Sequence, residues 1–79
     1  MRRRIVAYFF HLDDGIANND IDGTELPDMA SVKAETSRLC GTMLADAGRD
    51  FWLNPDWRIR VTDETGHAVL TLTLVGTLQ

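Results

Sequence analysis

Two histidines, one cysteine, twelve acidic residues and a pair of arginines spaced as on a strand are the side chains with which this 79-residue chain could do chemistry. His11 precedes Asp13 and Asp14, and an imidazole beside carboxylates can act as acid, base or metal ligand. On a strand His11 and Asp13 share a side, whereas Asp14 belongs to the following turn. The other histidine, His67, falls at a hairpin end. No nucleophile with a positioned base is evident, and zinc wants at least three protein ligands. A partly exposed histidine at a strand end beside an aspartate turn is the simpler reading.

The run Asn18-Asn19-Asp20-Ile21-Asp22-Gly23 imitates the first half of a calcium loop, with oxygen ligands at alternate positions and glycine at the sixth. Its second half fails, because Pro27 interrupts it and Met29 stands where a bidentate glutamate is required. A solvated acidic loop accounts for it better. Cys40 lies on the apolar stripe of a helix, where a thiol behaves as a small hydrophobe and makes a poor nucleophile. The six glycines are scattered and form no phosphate loop. Arg58 and Arg60, with Thr62, Thr71 and Thr73, share one face of a sheet and could make a basic patch that Arg2 to Arg4 extend. Nucleic-acid binders use such faces with aromatic rings for base stacking, but Phe9 is the main outward aromatic here.

The elements that must position these groups follow from the hydrophobic periodicity. Residues 4–12 are rich in β-branched and aromatic side chains and read as a strand, with Val6, Tyr8, Phe10 and Leu12 on one face and Ile5, Ala7, Phe9 and His11 on the other. Both faces carry apolar bulk, which suits a central strand covered on its second side by a loop or another copy. Asp13-Asp14-Gly15 signals a turn. Residues 16–26 read as a loop ending in a short edge strand around Thr24 to Leu26, which Pro27 closes. Asp28 is placed to cap a helix over about 29–48. Its apolar stripe comprises Met29, Val32, Thr36, Leu39, Cys40, Met43, Leu44 and Ala47, and Gly48 stops it. Phe51, Trp52 and Leu53 are expected to fold under the next loop. Trp57, Ile59 and Val61 alternate with Arg58, Arg60 and Thr62 in a half-buried strand; Asp63 to Gly66 form a hairpin loop, and residues 67–75 form the last strand. The fold class is α+β in the order ββαββ, a four-stranded, mostly antiparallel sheet of order 2-1-3-4 with one helix on one face.

The totals narrow the function. A chain this short is one domain, residues 1–79, and buries only about 60–65% of its unfolded surface, so help from an oligomer is expected. One cysteine permits no internal disulfide and fits a reducing compartment. Arg2 to Arg4 followed by Ile5 to Phe10 is too short an apolar run for a signal peptide, and nothing approaches the roughly 20 apolar residues of a membrane span. The cytoplasm is the expected location. Net charge is −4, which disfavours a phosphate backbone as main partner. Asp13 to Asp28 contain no Lys or Arg, so the molecule is expected to be electrically two-sided.

Three blocks recur together: Tyr8-Phe9-Phe10-His11, Gly23-Thr24-Glu25-Leu26-Pro27-Asp28, and Trp57-Arg58-Ile59-Arg60-Val61-Thr62-Asp63-Glu64 with Gly66 after it. In these the chain resembles a family of short proteins of unknown function abundant in rhizobia and related alphaproteobacteria. That resemblance implies a bacterial source and assigns no functional residue. Gly41 departs from it, standing where such proteins carry Ala or Leu, and hints at a close packing contact.

These readings converge on a non-enzymatic binding or regulatory module that self-associates through a sheet face or edge. It is expected to work as a homodimer or with a protein partner, with no cofactor, no metal and no membrane. The candidate interaction surface is Phe9, His11, Arg58 and Arg60. A nucleic-acid-associated module using the Arg58 and Arg60 face is the alternative, and a small metal-dependent or hydrolytic enzyme at His11 comes third.

Overall fold

The computed structural model describes residues 6–15 and 17–79. β-branched and aromatic residues in the first strand, and apolar–polar alternation in the other two, produce the body of the sheet: β1 (Val6–Asp13), β4 (Asp56–Thr62) and β5 (Ala68–Val75). Two short strands, β2 (Ala17–Asn18) and β3 (Thr24–Leu26), line the outer side of β1, and all pairings are antiparallel. The expected order 2-1-3-4 is therefore seen as β3-β1-β4-β5, with β2 an addition within the expected loop. Arg2, Arg3, Arg4 and Ile5, which the sequence reading used, lie outside the described residues.

Between β3 and β4 the chain crosses one face as α1 (Met29–Ala47). Its first turn is closed by the Asp28 carboxylate, which accepts from the Ser31 N–H at 2.8 Å. Its end is turned by Gly48 at φ 55°, in the left-handed region that glycine enters without strain. Val32 and Thr36 are buried, and the Thr36 hydroxyl is satisfied by the Val32 carbonyl one turn back. Phe10, Val32, Ile59 and Val61 form the core, with Tyr8, Leu12, Leu39, Cys40, Met43, Leu70 and Leu72 packed around it. The helix stripe is thus as expected except at Met29, which the first turn leaves exposed.

A 3-10 turn, η1 (Gly48–Leu53), follows the helix. Only Phe51 folds under, packing edge-on to Trp57 with ring centroids 4.9 Å apart. Trp52 packs edge-on against Phe51 with centroids 5.4 Å apart but stays about half exposed, and Leu53, 85% exposed, does not fold under at all. Six residues of 3-10 geometry repeat every three, so consecutive side chains splay in different directions and cannot all turn inward. Gly76 closes over this small cluster: a Cβ there would stand 2.7 Å from the Trp52 ring and 2.9 Å from Phe51.

Gly41 overturns the packing expectation. It is exposed, and a Cβ at its position would meet nothing within 4 Å. The residue therefore only loosens the helix. Gly41→Ala should stabilise the domain by up to about 1 kcal/mol, read as a rise of several degrees in the thermal midpoint by circular dichroism.

Candidate functional site

With α1 on one side, the opposite face of the sheet carries every residue singled out for an interaction surface. The register sets them in rows: Asp13, Arg58 and Thr73 in one, His11, Arg60 and Thr71 in the next, then Phe9 beside Thr62. Arg58, Arg60, Thr71 and Thr73 are exposed, whereas Phe9 and His11 are half-buried. Phe9 is covered by the loop that joins β2 to β3: Gly23 lies so close that a Cβ would come within 2.9 Å of the Phe9 ring, and its φ of 77° suits glycine alone. The second face of β1 is thus partly covered by a loop, one of the two coverings the sequence allowed.

That loop is organised by a residue the sequence reading passed over as solvated. The return strand pairs with β1 at residues 12–13 and again at 6–8, and between these it bulges through residues 19–23. Asp20 fills the gap in the ladder. One carboxylate oxygen accepts from the Phe10 N–H at 3.1 Å, and the other accepts from the N–H groups of Asp22 and Gly23, each at 3.1 Å. Its own N–H donates to His11 Nδ1 at 3.2 Å. Partial burial opposes ionisation of this carboxyl. The three backbone N–H groups of Gly23, Phe10 and Asp22, with His11 nearby, outweigh that and hold it below its ordinary value. The signal in the sequence was Asp20-Ile21-Asp22-Gly23, an Asx turn followed by glycine.

His11 is tied down on both nitrogens. Because Nδ1 accepts the Asp20 N–H, the neutral ring carries its proton on Nε2, which donates to Thr62 Oγ1 at 3.0 Å. The ring is a strut between the loop and β4, with neither nitrogen turned toward an incoming group. Cys40 is on the other side of the sheet, in a small apolar recess with Met43, Trp57 and Ile59, and His67 lies in the hairpin, where its N–H donates to Asp63. The structure does not bring these three together. Among the described residues no group of three or more His, Cys, Asp or Glu is arranged to hold a metal ion, and no helix is long and apolar enough to cross a membrane.

The face named as basic carries both signs. Arg58 and Arg60 share it with Asp13, directly opposite Arg58, and with Asp56, two residues along β4. Arginine alternation alone revealed the positive half, since the partner of Arg58 depends on a register between chain ends 45 residues apart.

A small α+β domain, one helix on an antiparallel sheet whose other face is open and of mixed charge, is the class that fold and site define. The chain belongs to the family described as Domain of unknown function (DUF6894), whose model matches residues 7–75. The three blocks that carry the sequence resemblance all lie within that span. No curated protein matches the chain, and no solved structure does.

Proposed function

We propose that this chain is a non-enzymatic binding module that works as a pair of identical copies joined edge to edge through β5. The observation that carries the reading is the contrast between the two edges of the sheet. On one side the edge is broken into strands of two and three residues, interrupted by the Asp20 bulge and ended by Pro27, which are devices that discourage further strand pairing. On the other side β5 runs unbroken for eight residues, Ala-Val-Leu-Thr-Leu-Thr-Leu-Val, without a charge or a proline. Alternate N–H and C=O groups of an edge strand point outward and form a template for another strand. Pairing of β5 with its own copy about a two-fold axis is antiparallel and self-complementary. Leu70, Leu72 and Leu74, only half-buried along that edge, supply the apolar area that backbone bonds alone lack.

The non-enzymatic part is supported by the engagement of both His11 nitrogens and by the distance in the fold between His11 and Cys40. Nucleic acid is the weaker partner for the open face, since Asp13 and Asp56 offset Arg58 and Arg60 there. The reading adds a cytoplasmic setting, supported by the single cysteine, and an alphaproteobacterial source, supported by the three sequence blocks.

Light scattering on a sizing column at micromolar concentration should give twice the chain mass of 8.9 kDa. Thr71→Glu with Thr73→Glu should return the protein to a folded monomer. Each new carboxylate sits opposite an arginine, Arg60 or Arg58, so the monomer's sheet is kept, while four like charges gather at the seam. A monomeric parent protein, or a double variant that stays paired, overturns the reading.

A further inference from the structure

We propose that the groove between the C-terminal half of α1 and the neighbouring ends of β1 and β4 receives a basic, amphipathic peptide segment of a partner protein. Its floor is apolar: Leu12 from β1, Met43 from α1 and Trp57 from β4 line an open trough of about 550 Å³. That size falls within the range of ligand sites, and its open side suits a chain segment better than an enclosed small molecule. Leu53 stands on the rim with 85% of its surface in water, a large aliphatic side chain that the fold itself leaves without cover.

Among the described residues the charge around this floor is of one sign. Asp46 from α1 and Asp50 from η1 line the groove, with Asp14 at the far side, and among the described residues no lysine or arginine lines it. Among the described residues neither Asp46 nor Asp50 is in an ion pair. The helix also ends here without a basic residue in its last turn, so the partial negative charge of its terminal carbonyls adds to the carboxylates. An apolar floor under a uniformly negative rim complements a segment that carries Leu or Phe anchors beside Lys or Arg. An acidic segment would be repelled, and a purely apolar one would gain nothing from the rim.

The site is on the helix side of the sheet, away from the outer edge of β5, so it does not depend on pairing of two copies. The test is a titration of the full chain with two synthetic peptides of equal length, one alternating Lys and Arg with Leu and Phe, the other with Glu at every basic position. Binding is followed by amide chemical shifts, and by tryptophan fluorescence, to which Trp52 and Trp57 both contribute. The basic peptide should bind saturably, with shifts centred on Met43, Asp46 and Trp57, and more weakly as salt rises. Asp46→Asn with Asp50→Asn, whose fold is checked by circular dichroism, should weaken it roughly tenfold. The Thr71→Glu/Thr73→Glu monomer should bind as the parent does. Equal binding of the acidic peptide, an unchanged affinity in the Asn variant, or shifts centred on Arg58 and Arg60 would overturn the proposal.

Discussion

Phe10→Ala is expected to destabilise the domain by about 3–5 kcal/mol, the range for truncating a buried aromatic ring. A chain of this length has only about 4–12 kcal/mol in total, so the variant should be substantially unfolded near physiological temperature. Phe10 is the one residue of β1 that is buried, and it meets Val32 of the helix together with Ile59 and Val61 of β4. It therefore joins three elements that are far apart in the chain, and no neighbouring side chain can close the hole without moving the helix off the sheet. Urea titration should show a midpoint far below that of the parent with an unchanged slope, since the surface exposed on unfolding is nearly the same. A loss under about 1 kcal/mol would mean that the helix does not hold its stripe on β1.

Phe10 also shows what a sequence can reveal unaided. Its strand is dense in β-branched and aromatic residues on both faces and too short for a helix, while Trp57 to Thr62 alternate apolar with polar and Leu70 to Leu74 alternate leucine with threonine, a period of two that only a pleated strand presents to one core. The helix was equally legible, because Asp28 caps it, Gly48 ends it, and Val32, Thr36, Leu39, Cys40 and Met43 recur at helical spacing. The residues that were misread or missed depend on contacts between distant segments. Nothing local distinguishes Gly76, which is needed because two aromatic rings of η1 lie against it, from Gly41, which faces open water. Likewise Asp13 joins the arginine face only through the pairing of β4 with β1, whereas Asp56 shares it by simple alternation along β4.

The two edges of the sheet follow the same division. The neutral run of β5 is visible in the sequence, but its exposure is not, because any strand of that composition could as well be central. Only the order β3-β1-β4-β5 leaves it outermost. On the opposite edge the short strand at Thr24 to Leu26 was legible, but the segment before it was read as a polar loop because Asn18 to Gly23 has the composition of one. Its carboxylate nonetheless replaces a missing stretch of backbone ladder, so Asp20 serves as a structural residue in a segment whose composition suggests solvent or calcium.

Asp20→Ala should destabilise the domain by about 2 kcal/mol, since the Phe10, Asp22 and Gly23 N–H groups lose a charged acceptor and water reaches them only in part. Asp20→Asn should recover little of this. An amide oxygen can serve Asp22 and Gly23, but the amide nitrogen then faces the Phe10 N–H, donor against donor. The pH dependence gives an independent check. The folded carboxyl titrates below its ordinary value, so its contribution is fully present above the unfolded value near pH 4 and is lost as pH falls through the folded one. The stability curves of parent and Asp20→Ala should therefore run parallel at neutral pH and converge in acid below about pH 4. Asp63 is held low by the Thr65 hydroxyl, and Glu35 by Arg38; both titrate in the same window in every variant and cancel from the difference. If the two curves stayed equally far apart down to pH 2, the carboxylate charge would not be what fastens the loop to β1, and the covering of Phe9 would have to rest on Gly23 and the His11 strut.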